Sequence, residues 1–441
     1  MTTKITEQNI SNISNAAVQW QTVVTADGST ATSAVAGYGY FIDTTSAAHT
    51  VNLPNTASVG DTIILKDYTG TWGTNNVTIS STLKISGADA DGTLSTNNTT
   101  ITIVYMDTTK GWTPIQNSTQ SALATDAAYV TATGGTITTS GDYKTHVFTG
   151  DGCFVVSCGG NSDGSNTIEY LVVGGGGAGG TGEGESAGGG GAGGFRSYTA
   201  LPCASPLNAP AALPVSVQTY PVTVGAGGSS ESHLGPIRPG SNSIFSTITS
   251  AGGGAGKPGY SPVCGIPGYG AIPNMNGGSG GGGTGNNPPG GAGTGNTPPV
   301  SPPQGQPGGD GNLVAGHRSG GGGGGAGAAG QNGVNPLTGG DGGAGSFVPN
   351  AFFGPVSGCY GETGPAGRYF SGGGGGMWQN PGGTPGDPGL GGGGESAPGT
   401  SPGVATAGTA NTGGGGGAGY HNCIGSGTGG KGIVVIRYKF Q

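Results

Sequence analysis

The stretch EYLVVGGGGAGG, residues 169–180, decides which fold this chain can adopt. It begins as a buried strand, with Leu171, Val172 and Val173 in succession, and then changes abruptly to glycine. In a nucleotide-binding enzyme, such a strand runs into a helix whose N-terminal amides bind the phosphates. Here the chain continues TGEGESAGGGGAGG, and each glycine in a helix costs about 1 kcal/mol. The sequence therefore argues against a dinucleotide-binding turn.

Glycine is unevenly distributed along the 441 residues. Of the 106 glycines, 13 lie in residues 1–150 and 93 in the remaining 291 residues. The first part of the chain is rich in Thr, Ser, Val and Ile. Its short β-branched and aromatic runs, separated by turn signals, predict a small antiparallel sandwich or barrel over residues 21–118. These runs are YGYFIDTT, HTVNLP, DTIILKDY, NVTIS, LKISG and TITIVYMD.

The glycine tracts can become ordered only by packing against one another, because ordering each residue costs roughly 1–2 kcal/mol of backbone entropy. The polyproline-II conformation has three residues per turn and directs every N–H and C=O outward. Helices of this kind, laid side by side, can satisfy one another's amides where side chains are absent. Glycine at every third residue in 361–369 and 383–391 predicts helices at the rim of such a lattice. The apolar run 433–436 predicts a strand that pairs with 171–173 and closes the domain.

The fold class expected is all-β with almost no α-helix. N-terminal sandwich or barrel modules precede a glycine-rich domain of packed polyglycine-II helices, which flanking β-strands close. The predicted organisation is an attachment arm (1–20), a β module (21–118), a linker (119–128), a β framework (129–173), the glycine lattice with surface loops (174–431) and a closing strand (432–441).

Charge and motif content argue against several functional classes. The net charge is −8 and only 8% of residues are charged, so neither nucleic acid nor an anionic membrane is an expected partner. No apolar run is long enough for membrane insertion, and the N-terminus lacks the apolar centre of a secretion signal. Cys153 and Cys158 lie on one strand, too far apart for a disulfide.

Catalysis is not expected either. The G-x-S-x-G match at 277–281 lacks the strand-to-helix elbow that exposes a nucleophile. The scattered histidines and cysteines lack the spacing of metal ligands. Isolated loop glutamates do not form the paired carboxylates of a glycosidase. The sequence thus predicts a protein that is not an enzyme, with no cofactor and no metal.

The order of several motifs resembles the glycine-rich domain of bacteriophage tail fibres and adhesins over residues 129–440. Residues 38–112 resemble β domains in structural proteins of phages that infect cyanobacteria and other marine bacteria. The resemblance implies a sandwich of polyglycine-II helices whose connecting loops form a host-binding tip. The motifs are HVFTGDGCFVV, IEYLVVGGGGAGG, YPVTVGAGG, SNSIFSTITSAGGGAG, NTGGGGGAG and GGKGIVVIRY.

The resemblance implies a virion protein, assembled in the host cytoplasm and acting outside the cell. Its N-terminal region would bind other virion proteins, and its loops a bacterial surface glycan or outer-membrane protein. The runner-up is a purely structural capsid fibre or decoration protein. Phage fibres are commonly trimers, so a homotrimer is one expected state, whereas such lattice domains also exist as monomers.

The receptor-contact candidates are apolar and aromatic side chains in the longest loops, 257–276 and 346–370, and in two shorter ones. Exposed aromatic groups suit stacking on sugar rings or insertion into a protein partner. The alternative for each is that it covers the edge of the lattice. The candidates are Tyr260, Tyr269, Met275, Phe352, Phe353, Tyr360, Tyr369, Phe370, Met377, Trp378, Tyr420 and His421.

Overall fold

The chain forms two compact units, Met1–Thr125 and Asp126–Gln441, here called the N-terminal and C-terminal units. Within the described residues, regular structure consists of β-strands and two short 3-10 segments, Asn350–Phe352 and Gly354–Cys359, without an α-helix. The all-β prediction is therefore confirmed. The computed structural model describes residues 18–119, 127–162, 164–182, 185–202, 204–230, 238–259, 274–285, 290–314, 316–334, 338–379, 383–398, 404–420 and 425–441.

Two sheets make up the N-terminal unit. One contains β1, β2, β4, β6, β9 and β10, and the other contains β3, β5, β7 and β8. Most of the predicted arm, residues 1–17, lies outside the described residues. The strands are β1 (Gln19–Trp20), β2 (Val24–Thr25), β3 (Thr32–Ser33), β4 (Tyr38–Asp43), β5 (His49–Asn52), β6 (Thr62–Asp67), β7 (Val77–Ser80), β8 (Gly92–Leu94), β9 (Thr99–Tyr105) and β10 (Trp112–Thr119).

The chain winds alternately between these two sheets from β3 to β7. As a result β4 lies parallel to β6, with Tyr40 beside Leu65, and β5 lies parallel to β7, with Val51 beside Ile79. The prediction of an antiparallel unit is wrong for these strands; antiparallel pairing begins with β8 and β9. Each crossover between parallel neighbours is a strand of the opposite sheet. In the sequence, the short connection from a strand in one sheet to the next strand in the other sheet has the same length as the turn of a hairpin, so the two arrangements cannot be told apart.

Alternating side chains from both sheets fill the core of the N-terminal unit. Along β9, for example, Ile101, Ile103 and Tyr105 are buried while the residues between them are half-buried. Trp72 and Trp112 are fully buried in the same cluster. The buried carboxylate of Asp67 accepts backbone N–H groups, including that of Gly70 at 2.9 Å, and so orders the turn that places Trp72.

The described part of the C-terminal unit is built on two facing sheets and two smaller ones, β21-β22 and β23-β25-β24. The first sheet has the order β11-β14-β18-β19-β20 and the second β12-β13-β26-β15-β16, with β17 beside β15. The strands are β11 (Val130–Thr133), β12 (Thr136–Ser140), β13 (Tyr143–Phe148), β14 (Gly152–Gly159), β15 (Thr167–Val173), β16 (Phe195–Tyr198), β17 (Leu213–Pro214), β18 (Gln218–Thr223), β19 (Ser243–Phe245), β20 (Ile248–Ser250), β21 (Asn312–Val314), β22 (His317–Ser319), β23 (Ser346–Val348), β24 (Glu362–Gly364), β25 (Gly367–Phe370) and β26 (Ile433–Lys439).

The closing strand β26 pairs antiparallel with β15, as the sequence predicts. Leu171 lies opposite Val435 and Val173 opposite Ile433, so both ends of the glycine-rich region are held in one sheet. On its other side β26 pairs with β13. Cys153 and Cys158 both lie on β14, as expected, and are free thiols.

The second sheet is buried on both faces, which explains its continuous apolar runs. Val172, Val434 and Ile436 face the first sheet in a core that includes Phe154 and Phe245. The opposite face carries alternate residues of the same strands and packs against three phenylalanines from elsewhere in the chain. That second cluster includes Leu171, Val173, Phe352, Phe353, Phe370, Ile433 and Val435.

Candidate functional site

Glycine segments form a lattice in which hydrogen bonds run between segments and repeat every third residue. In residues 188–194, the first, fourth and seventh N–H groups donate to one neighbour, the second and fifth to another, and the third and sixth to a third. The carbonyl oxygens accept from three further segments in the same rhythm. Three residues per turn is the period of the polyproline-II helix. The six neighbours are 251–257, 321–324, 413–416, 174–180, 279–282 and residue 374.

Side chains are excluded from the interior of this lattice by backbone contacts. A Cβ atom added to Gly190 would lie 2.2 Å from the carbonyl oxygen of Gly177, and one added to Gly189 would lie 2.0 Å from that of Gly374. Alanine occurs where two segments leave room, as at the contacting pair Ala178 and Ala255. The glycine composition thus follows from the close spacing of the helices. The other segments with six neighbours are 174–180, 320–326, 372–377 and 413–419.

The two predicted rim helices have different outcomes. In 383–391 the prediction is confirmed, because Gly386 and Gly389 are buried while the residues between them are exposed. In 361–369 it is wrong, since these residues form the β24–β25 hairpin. Its closing pair is Gly364 with Gly367, and Gly361 has a φ of +67°. Hairpin geometry can therefore produce the same triplet of glycines as a rim helix.

The segments of the lattice run alternately away from and back toward the β-sheets. Residues 174–180 leave β15 and 188–194 return to β16, with the two segments antiparallel. This pattern repeats along the chain and gives the lattice a sheet end, next to the strands, and a loop end opposite it. Described residues of the loop end are 181–182, 185–187, 229–230, 257–259, 284–285, 312–314, 316–319, 334, 338, 377–379, 397–398, 404, 420 and 425–426.

The family model described as "Glycine-rich domain" matches residues 160–439, well over half of the chain. The chain belongs to the glycine-rich domain family. The matched region includes both β15 and β26, so the pairing of these strands lies within the family unit. No curated protein matches the chain.

In this glycine-rich domain, loop 346–370 lies at the sheet end rather than the loop end. Phe352, Phe353 and Phe370 are each 0% exposed and cover the outer face of the β15–β26 sheet. The expectation that they are exposed is wrong, because a sheet with two apolar faces requires a cover. Tyr360 and Tyr369 are half-buried, and Tyr360 stacks on Phe353 with ring centroids 5.6 Å apart.

Three further candidates are also buried. Met275 is 9% exposed, Met377 0% and Trp378 2%. Met377 packs with lattice alanines, and half-buried Tyr420 lies against the same cluster. For Met275, Met377 and Trp378 exposure is therefore a wrong expectation, and the alternative of lattice cover applies. Tyr260, Tyr269 and His421 lie outside the described residues.

The loop end instead presents isolated valines. Val314 on the β21–β22 hairpin is 49% exposed, Val334 56% and Val404 66%. Within the described part of the lattice, they are the exposed large apolar side chains. Sequence reasoning missed them because a single valine in a Gly- and Pro-rich loop carries no pattern.

Polar contacts brace the loop end from within. Arg318 on β22 forms an ion pair with Glu185. The Ser186 carbonyl oxygen accepts the Thr284 hydroxyl at 2.8 Å, and the Ser186 hydroxyl accepts the N–H of Gly285 at 2.9 Å. These bonds tie segments 185–187 and 284–285 together. The loop end therefore has a fixed frame on which its exposed residues are held.

The described residues show no constellation of metal ligands, since nowhere among them do three His, Cys, Asp or Glu side chains come together in a way that could hold an ion. No helix in the described ranges has the length and apolar character to span a bilayer.

Proposed function

We propose that the chain is a bacteriophage virion fibre protein that binds the host cell surface through the loop end of its glycine lattice. The observation that carries this proposal is that many of the connections between lattice segments converge at one end, opposite the strands. A rigid scaffold with variable loops at one end is a common arrangement for recognition. In this proposal the protein has no catalytic role, is part of the virion and acts outside the cell.

The partner is a bacterial surface glycan or an outer-membrane protein. Val314, Val334 and Val404 supply apolar contact area, and the bonded frame of Ser186 and Thr284 holds the surface in one shape. Preorganisation of this kind reduces the entropy lost on binding. In this proposal, the N-terminal region binds other virion proteins.

The test is adsorption of labelled full-length protein to a panel of bacterial strains. One loop-end variant carries Val314→Lys and Val334→Lys, and a second carries these two substitutions together with Val404→Lys. The matched control is Val217→Lys, because Val217 is also 66% exposed but precedes β18 at the opposite end of the framework. Strain-selective adsorption should disappear in the loop-end variants and persist in the control.

A purely structural role in the virion is the second candidate. It is supported by the burial of Phe352, Phe353 and Trp378, which leaves fewer exposed aromatic groups than recognition surfaces usually carry. If the folded wild-type protein adsorbs to no strain, or if Val217→Lys and the loop-end variants lose adsorption equally, the recognition proposal is wrong. Localisation of the protein on the capsid would then support the structural role.

A further inference from the structure

A cleft of about 200 Å³ opens at the end of β15 that is remote from the lattice. Glu169 and Arg437 lie in its wall, and both side chains belong to residues that are more than nine-tenths buried. Buried charges of this kind require hydrogen-bond partners. The other polar and aromatic groups lining the cleft are Tyr143, Thr167, Tyr198 and Lys439.

Only one of the two carboxylate oxygens of Glu169 accepts hydrogen bonds from described residues. Arg437 donates to its Oε2 at 2.8 Å, and the Thr199 hydroxyl donates to the same oxygen at 2.8 Å. Its other oxygen, Oε1, has no donor among the described residues. Glu169 lines the cleft, so this oxygen can accept a hydrogen bond from a ligand hydroxyl there.

Arg437 offers the complementary donor. Its guanidinium carbon lies 3.6 Å from the centroid of the Tyr143 ring, and this contact fixes the plane of the guanidinium group. Only one of the guanidinium nitrogens donates a hydrogen bond to Glu169. The cleft thus places an open acceptor beside open donors, a combination matched by a hydroxyl group, which both donates and accepts. Glu169 and Arg437 compensate each other's charge, so recognition through this pair requires no net charge on the ligand.

We infer that this cleft binds one ring of a neutral sugar. The ring hydroxyls bond to Glu169 Oε1 and to Arg437, and Tyr198 offers an aromatic surface to the C–H groups of the ring. This site is separate from the loop end and does not rest on the function proposed for it. A single ring in a shallow cleft binds weakly, with a Kd on the order of millimolar.

Saturation-transfer NMR on the full-length protein tests the inference. The probes are glucose, galactose and mannose, each offered free and as the terminal unit of a disaccharide; transfer to the free sugars alone indicates a free monosaccharide, and transfer to both indicates a glycan end. Ala212→Phe fills the cleft without changing the Glu169–Arg437 pair. Ala211→Phe is its control, because Ala211 is exposed and outside the cleft. Tyr198→Ala is an independent second variant.

We expect transfer in the wild type and in Ala211→Phe, and at least a tenfold weaker signal in Ala212→Phe and Tyr198→Ala. The loop-end variants should retain it, which separates this site from the proposed receptor surface. No transfer to any probe at tens of millimolar would overturn the inference. Equal transfer in Ala212→Phe and Ala211→Phe, or loss in the loop-end variants, would do the same.

Discussion

Gly190 shows how a single position in the lattice is restricted to one residue type. Its N–H and C=O both bond to other segments, and its Cα faces the backbone of a third. No rotamer change can relieve the contact that a methyl group would make, because the neighbouring atom is a carbonyl oxygen. The restriction is one of distance between backbones rather than of backbone dihedral angle.

We therefore expect Gly190→Ala to lower the free energy of unfolding by about 3 kcal/mol or more. The control is Gly291→Ala, where the nearest atom to the added Cβ is Asp310 Oδ1 at 3.7 Å. There the change should be neutral or slightly stabilising, by less than about 1 kcal/mol, since alanine restricts the unfolded chain. Urea unfolding of both variants measures the difference, and equal effects would contradict the lattice geometry.

His146 gives the C-terminal unit a dependence on pH. Its ring is fully buried, with Nδ1 2.7 Å from the Gly134 carbonyl oxygen and Nε2 3.0 Å from the Tyr438 hydroxyl. Burial lowers the pKa of His146 below the ordinary 6.5. The unfolded chain then binds a proton more readily than the folded one, so stability is complete above pH 6.5 and declines as pH falls below it.

The midpoint of urea unfolding at pH 7.5 and at pH 5.5 tests this expectation. His146→Gln should reduce the loss of stability between the two pH values, even if the variant is less stable at both. His49, whose pKa burial also lowers, is present in both proteins and so cancels in the comparison. An unchanged pH dependence in the variant would show that His146 is not the titrating group.

Among the elements, the loop that carries Phe352 and Phe353 has a structural role that its composition does not reveal. It covers the outer face of the β15–β26 sheet, and Thr145 on β13 approaches the Phe352 carbonyl oxygen at 3.4 Å. Both phenylalanines therefore contribute to the core of the unit rather than to a recognition surface.

Phe353→Ala should lower the free energy of unfolding by about 3–5 kcal/mol, as expected for a fully buried aromatic residue. Tyr360→Ala, at the half-buried ring stacked on it, should cost less. Adsorption to host cells, measured per folded molecule below the unfolding temperature, should be unchanged in both. Loss of adsorption without loss of stability would restore Phe353 as a receptor contact.

Some elements were predictable from the sequence. The pairing of 171–173 with 433–436 follows from two apolar runs that bracket the glycine tracts. The three-residue repeat of 383–391 was predicted correctly, although the repeat alone does not distinguish a rim helix from a hairpin. The hairpin at 361–369 could not be separated from a rim helix, because glycines at 361, 364 and 367 suit both. Burial of Phe352 was equally hidden, since it depends on which face of a distant sheet lacks a cover.

At the scale of the whole molecule, β26 connects the last residues of the chain to strands formed far earlier. It lies between β13 and β15, and its side chains enter both cores of the C-terminal unit. The lattice segments cannot order alone, so their framework must persist for them to pack.

Truncation after Gly432 should therefore unfold the lattice along with the sheets, although it removes no glycine segment. Far-UV circular dichroism and limited proteolysis within 174–431 would measure the loss. Removal of Gln441 alone, an exposed residue beyond β26, is the control and should have little effect. A protease-resistant lattice in the truncated chain would contradict this dependence on β26.

Because the lattice interior consists of peptide groups, the thermodynamics of its unfolding should differ from those of a core made of apolar side chains. Exposure of apolar surface raises the heat capacity on unfolding, whereas exposure of polar surface lowers it. Calorimetry should therefore give a heat-capacity increment per residue below the usual value of about 12–15 cal/mol/K. With so small an increment, the stability curve is broad and flat, and the C-terminal unit would keep much the same stability in cold water as in warm.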